Sequence, residues 1–170
     1  MSDSTEPAVL RMATAADVPL ILQFIRLLAR YENLEHHVVA TDDSLREYLF
    51  GARAYAEVVF AELDGRAVGF ALFFPTFSTF VGRPGIYLED LYVLEEMRGK
   101  GIGRQLLSHL ARLTLERGWG RLDWAVLDWN APAIGFYAKL GAQMLADWRI
   151  CRLTGAALES LAGSRTNAGG

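Results

Sequence analysis

The stretch Ile86-Tyr-Leu-Glu-Asp-Leu-Tyr-Val-Leu94, with Glu95-Glu-Met-Arg-Gly-Lys-Gly-Ile-Gly103 and Arg104-Gln-Leu-Leu-Ser-His-Leu-Ala-Arg-Leu-Thr-Leu-Glu-Arg117 after it, decides the fold. Its first part is dense in aromatic, β-branched and leucyl side chains, which suit a buried strand. Leu106, Leu107, Leu110 and Leu113 then recur at helical spacing. Strand, glycine turn and helix follow in that order. Gly99, Gly101 and Gly103 lack Cβ atoms, so the backbone there can take dihedrals closed to other residues and bring its N–H groups close to a ligand. Several N–H bonds to a charged oxygen, at about 1.5–3 kcal/mol each, would hold a pyrophosphate. A plain tight turn satisfies the same spacing. Neither Gly-x-x-x-x-Gly-Lys-Ser/Thr nor Gly-x-Gly-x-x-Gly is present.

Within the strand, Ile86 and Leu88 keep one alternation phase and Leu91 and Val93 the other, with Glu89 and Asp90 between them. A β-bulge near Asp90 accounts for the slip. So does a strand covered on both faces, where phase carries no information. In a regular strand Asp90 points away from Glu89. A carboxylate in so apolar a strand, Glu89 above all, is either buried for a purpose or turned to solvent and ion-paired.

Outward from this centre, residues 9–12 form a first strand and Thr14-Ala-Ala-Asp17 has capping-box spacing ahead of a helix. Leu20, Ile21, Phe24, Ile25, Leu28 and Ala29 are the apolar face of that helix, which runs to about Tyr31. A polar loop with Glu32, Glu35, His36 and His37 leads to a shorter helix capped by Thr41. Residues 55–63 and 67–74 read as strands joined at Asp64-Gly65, with Pro75 ending the second. The aromatic run Phe70, Phe73, Phe74, Phe77 and Phe80 is assigned to the core. Residues 121–127 make another strand. Asn130-Ala-Pro-Ala then caps and opens a helix ending at Gly141, residues 143–153 give final strand material, and residues 156–161 a short helix.

A chain of 170 residues with 52% hydrophobic composition fits one domain with a substantial core. Residues 8–162 are assigned to it, residues 1–7 to a flexible N-terminus and residues 163–170 to a disordered tail. Strands interleaved with helices, plus a hairpin, give an α/β class with a mixed, mostly antiparallel central sheet flanked by helices. A net charge of −3, from 17 basic and 20 acidic residues, gives no basic field for nucleic acid. The polar, acidic N-terminus is unlike a signal peptide, and no apolar run approaches a membrane span, so a soluble cytoplasmic protein is expected. Cys151 is the only cysteine, which excludes an intrachain disulfide. His36 and His37 are adjacent, His109 is distant and no His-Glu-x-x-His occurs, so no metal site is expected.

The segment Arg98-Gly-Lys-Gly101-Ile-Gly103, after a strand and opening a helix, resembles the acyl-CoA pyrophosphate loop of the GNAT acetyltransferases. Arg30-Tyr31-Glu32, Tyr87-Leu-Glu-Asp90, Ala125-Val-Leu-Asp-Trp-Asn130, Phe136-Tyr137 and Leu140-Gly-Ala142 narrow the likeness. They resemble the diamine acetyltransferases, the spermidine/spermine and thialysine N-acetyltransferase group. The resemblance implies the GNAT acyl-CoA N-acyltransferase fold, acetyl-CoA as acyl donor without a metal, a small amine as acceptor and a homodimer. It implies that a bulge frees N–H groups near Leu91, Tyr92 and Val93 for the acyl chain. For the coenzyme it further implies Arg98, Gly99, Lys100, Gly101, Ile102, Gly103, Asn130, Pro132, Ala133 and Tyr137. For the amine it implies Tyr31, Glu32, Glu89, Asp123, Trp124 and Ala125.

Acetyl transfer needs an uncharged nitrogen. An alkyl ammonium near pKa 10.4 costs roughly 4–5 kcal/mol to deprotonate at neutrality. Acids at the mouth would bind the distal ammonium while a deeper one, Glu89, receives the reacting proton through water. Tyr137 corresponds to the family's general acid on the coenzyme thiolate. A phenol near 10 is a weaker acid than a thiol near 8.5, so stabilisation of the thiolate by a hydrogen bond is expected as much as protonation. On the residues alone, Tyr137 also reads as helix packing and Asn130 as a simple cap. Peptide acetylation and a non-catalytic acyl-CoA-binding module are the alternatives.

Overall fold

The computed structural model describes residues 7–163. The expected flexible N-terminus and tail therefore lie outside the described residues, except for Pro7 and for Gly163, which closes the last helix. Residues up to Ala125 form one compact unit and those from Val126 on form another.

The first unit is built on a five-stranded sheet of β1 (Val9–Met12), β2 (Glu57–Leu63), β3 (Arg66–Ser78), β4 (Arg83–Val93) and β5 (Leu122–Trp124), in that spatial order. Neighbours are antiparallel except β4 and β5, which are parallel. Asp64 and Gly65 both take positive φ, 50° and 73°, as a two-residue hairpin turn between β2 and β3 requires. Helices α1 (Val18–Tyr31) and α2 (Asp42–Phe50) follow β1, and α3 (Ile102–Glu116) follows β4. Thr41 caps α2 by accepting the Ser44 N–H.

Each face of the sheet has its own helix. Phe24 of α1 stands between Phe60, Phe70 and Tyr92, with ring centroids 5.7, 5.2 and 6.3 Å away. Ile21, Leu49 and Val58 complete that core. Alternate residues of β3 face α3: a Cβ added to Gly69 would come within 3.3 Å of Ile102 on α3. Ile102, Leu106, Leu107 and Leu110 are buried, so the apolar stripe read from the sequence is the packed face of α3. Burying each such side chain contributes about 1.5–3 kcal/mol. Arg117 then ties the end of α3 to β2, donating from its two terminal guanidinium nitrogens to the Glu57 carboxylate at 2.7 Å.

Several expectations are corrected. Pro75 does not end β3, which runs on to Ser78. Beyond Phe73, the partner of Glu57, β3 pairs only with β4 among the described residues, and a strand unpaired on one side tolerates a residue without an N–H. Phe70 and Phe73 are core, but Phe77 and Phe80 are 59% and 96% exposed. β5 has only three residues. In the second unit α4 (Ala131–Lys139) and α5 (Gly155–Gly163) form, whereas residues 143–153, expected as a strand, form none and are exposed. A strand exists only as a member of a ladder, and composition does not reveal whether a partner is present.

Candidate active site

The site begins where the pairing of β4 changes. Leu88 pairs with Phe73 and Asp90 with Leu72, so Glu89 is the extra residue of a β-bulge. The slip of hydrophobic phase in the sequence is thereby explained. Without the bulge Tyr87, Glu89 and Leu91 would share a face. With it, Tyr87, Asp90 and Tyr92 stand on the side of α1, and Leu88 and Leu91 on the side of α3. The expectation that Asp90 points away from Glu89 is corrected: both carboxylates line one cleft.

That cleft has a volume of about 390 Å³, within the range of small-molecule sites. Ile25, Leu28, Leu34 and Val38 are among its apolar walls, and Glu32, His37, Glu89 and Asp90 supply its titratable groups. Glu32 is the C-cap of α1, where its backbone N–H donates to the Leu28 carbonyl. Burial raises its carboxyl above the usual range. Asp90 is half-buried, and loss of hydration, followed by repulsion from Glu89 and Glu32, pushes its carboxyl up to about 7. Glu89, expected to be the deeper acid, is exposed, and as the extra residue of the bulge it has no partner in the ladder.

Beyond Leu88 the strand has a free side. Among the described residues β5 pairs with β4 through Ile86, Tyr87 and Leu88, so Leu91, Tyr92 and Val93 have β3 alone as a strand partner. Their outer main-chain groups can take an extended ligand as a strand would. The turn after the strand carries Gly99 and Gly101 at φ 78° and 82°, with no atom within 4 Å of an added Cβ. Gly101 is the N-cap of α3, ahead of Ile102 and Gly103. Among the described residues no main-chain carbonyl accepts the N–H of Gly99, Lys100 or Gly101. Free amides at the start of a long helix suit an anion such as a diphosphate.

Arg98 does something else with its side chain. Its Nε donates to the Val93 carbonyl at 3.1 Å, and its guanidinium lies over the rings of Tyr31 and Tyr92, 4.5 and 5.3 Å from their centroids. It therefore joins the end of α1 to the end of β4. Asp123 pairs with Tyr87 in the sheet and is held by Arg121, Nε to Oδ2 at 2.6 Å. Trp124, its neighbour, pairs with Leu88 and so takes the opposite face, while Ala125 follows the strand and is exposed. The residues expected at the amine site are thus split between faces. Tyr31, Glu32, Glu89 and Asp123 are on the α1 side or its rim and Trp124 is not.

In the second unit Asn130 caps α4, its side chain accepting the Ala133 N–H at 3.3 Å, with Pro132 in the first turn. Tyr137 is buried, and its ring centroid lies 5.3 Å from that of Phe136. Its carbonyl accepts the N–H groups of Leu140 and Ala142, and Gly141 takes φ 86° as the helix closes. What sequence reasoning missed at the cleft is Asp90 and the apolar wall from α1. The slipped phase at residues 88–91 was the available signal for Asp90.

Comparison with known proteins agrees with this geometry. Residues 22–142 match the acetyltransferase (GNAT) family, a stretch that crosses both units. The thialysine N-epsilon-acetyltransferase of Bos taurus is 38% identical over 166 residues, covering 91% of this chain and 97% of that protein. The L-ornithine N5-acetyltransferase NATA1 of Arabidopsis thaliana is 34% identical, covering 89% of this chain and 86% of its own. An integron cassette protein from the mobile metagenome of V. cholerae superposes with a TM-score of 0.77 at 28% identity, over 94% of this chain and all of that one. A glycine-bearing turn before α3, a bulged and half-free β4 and relatives matched along nearly their full length lead to one assignment: the chain belongs to the GNAT acetyltransferase family.

Proposed function

We propose that this acetyltransferase transfers the acetyl group of acetyl-CoA to a primary amine of a small diamine, polyamine or thialysine-like substrate, by direct attack in a ternary complex. The thialysine and ornithine acetyltransferases among its relatives support the substrate class. The observation that carries it is the cleft bordered by β4, where, among the described residues, Glu32, Glu89 and Asp90 stand without a lysine or arginine in the lining. Elsewhere Asp17, Glu57, Glu62 and Asp123 are each met by an arginine. Carboxylates left facing an apolar slot attract a cation from solution, and the apolar walls suit its methylene chain.

On this reading the amides of residues 99–103 bind the diphosphate and the outer edge of residues 91–93 aligns the acyl arm. Asn130, Pro132, Ala133 and Tyr137 join the coenzyme site on the strength of the family resemblance. Tyr137 donates a hydrogen bond to the departing thiolate. Turnover of Tyr137→Phe equal to wild type, with chemistry rate-limiting, would remove that role. A homodimer in the cytoplasm completes the proposal, and light scattering tests the assembly.

Release of coenzyme thiol from acetyl-CoA, measured against thialysine, ornithine, lysine, putrescine, spermidine and a set of N-terminal peptides, tests the whole. Turnover of the small amines at least tenfold above the peptides is expected. Peptide turnover alone would reassign the substrate, and acetyl-CoA binding without turnover of any amine would leave a binding module.

A further inference from the structure

We propose that His37 is a specificity-determining residue of the cleft, the group that receives the carboxylate of an amine substrate whose far end is an α-amino acid head. The inference rests on the acetyltransferase reading and narrows its substrate from small amines in general to the side-chain amine of a basic amino acid. Two walls of the cleft differ in chemistry. Glu89 and Asp90 come from β4, next to residues 91–93, the edge offered to the acyl arm, and so serve the reacting nitrogen. Glu32 and His37 come from the chain that leaves α1, and they meet the other end of a bound substrate.

The chain that carries these two residues is pinned. Leu34 donates its N–H to the Ala29 carbonyl at 2.7 Å, and His37 donates its own to the Leu34 carbonyl at 2.9 Å, so the 3-10 turn Glu35–His37 is fixed to the end of α1. Arg30 holds the Glu35 carboxylate, Nε to Oε1 at 2.9 Å, and that acid and that guanidinium are spent on each other. Arg98 is engaged with the Val93 carbonyl and the rings of Tyr31 and Tyr92. The ring of His37 lies 4.1 Å from that of His36, and His37 is exposed where it borders the cleft. Among the described residues it is the one lining side chain that carries N–H donors.

The pairing follows from donors and acceptors. An ionised carboxylate only accepts and an ammonium only donates, whereas an imidazole carries an N–H donor in either protonation state. Glu32 therefore meets the α-ammonium, and His37 meets the carboxylate on the same carbon. A diamine of equal length offers Glu32 a second ammonium but has nothing that accepts from the His37 N–H. Glu32, Glu89 and Asp90 repel an incoming carboxylate, yet beside an exposed imidazole it keeps part of its water, and solvent screens the repulsion. A hydrogen bond to a charged group at such a place is worth about tenfold in binding.

The test uses matched pairs that differ only in the carboxylate, ornithine against putrescine and lysine against cadaverine. Steady-state kcat and KM for each are measured at saturating acetyl-CoA for the wild type, His37→Ala and His37→Gln. The wild type is expected to favour each amino acid over its diamine in kcat/KM by at least about threefold. His37→Ala should lower that ratio about tenfold by raising the KM of the amino acid, with its kcat within about threefold of wild type. His37→Gln, whose amide keeps N–H donors, should hold the ratio within about threefold. Ornithine amide, which keeps the α-ammonium and loses the anion, reads the same contact on the wild-type protein and should be used about tenfold less well than ornithine. Preference of the wild type for the diamines overturns the assignment, as do a ratio untouched by His37→Ala, an equal loss on both members of a pair, or an amide used as well as ornithine. Any of these with the diamines still acetylated removes His37 alone. A wild-type protein that turns over no amine overturns the acetyltransferase reading itself, and the role of His37 with it.

Discussion

The two halves of β4 are the same strand put to different uses. Through residues 86–88 it has β3 on one side and β5 on the other, and Ile86 and Leu88 are buried. Packing there is close enough that a Cβ on Gly85 would lie 2.7 Å from the Arg121 carbonyl. Past the bulge, residues 89–93 keep only β3 as a strand partner among the described residues, none is fully buried, and a carboxylate faces a cleft. A strand paired on both sides spends its hydrogen bonds on the fold. One paired on a single side keeps donors and acceptors for a ligand. The site lies at the point where the ladder loses a member, not at a separate insertion.

This contrast can be broken or sharpened by substitution on either side of the bulge. Leu88→Ala, in the doubly paired half, should cost about 2–5 kcal/mol of stability by leaving a cavity next to Phe73. Urea unfolding measures it, and the folded fraction should keep the wild-type pH profile.

Asp90→Asn should act oppositely on stability. Its carboxyl titrates near 7 in the folded chain against about 3.8 when free of the fold, so the folded state binds more protons between those values. Stability contributed by this group is complete below about pH 4 and is lost as pH rises toward 7. The asparagine variant, having no proton to lose, should be more stable than wild type at pH 8 by about 1–2 kcal/mol and equal to it at pH 4, after allowing for water that reaches the cleft. Thermal unfolding at the two pH values tests the sign. An equal gain at both would detach it from ionisation.

Smaller effects belong to the connections of the singly paired half. Gly101→Ala places a Cβ at φ 82°, a strain of about 1–2 kcal/mol, and should raise the KM for acetyl-CoA roughly 5- to 30-fold while leaving that for the amine nearly unchanged. Arg98→Leu removes stacking on Tyr31 and Tyr92 worth about 0.5–1 kcal/mol at this exposed position. Steady-state kinetics should then show the KM for the amine, whose cleft includes Glu32 next to Tyr31, rising about two- to fivefold, more than that for acetyl-CoA.

Much of this was legible in the chain. The Asp64-Gly65 hairpin, the caps at Thr41 and Asn130, the leucine stripe of α3 and the glycine turn before it rest on local rules, and each forms where those rules place it. The slip of phase at residues 88–91 announced a bulge without saying which way the carboxylates would turn. Pro75 and the aromatic run misled because burial depends on what lies across from a residue. Phe73 has β2 beside it, whereas Phe80 lies past the end of β3 and is exposed. The absent strand at residues 143–153 has the same origin.

By itself, then, the sequence determined what short-range geometry governs: element types, turns, caps and the amide-rich start of α3. Only the tertiary structure decided that Arg98 turns back onto two tyrosines, that Asp123 and Trp124 part to opposite faces, and that Asp90 and not Glu89 is the shielded acid. Each of these depends on strand register and on loss of water around a charge, and both are set by residues far away along the chain.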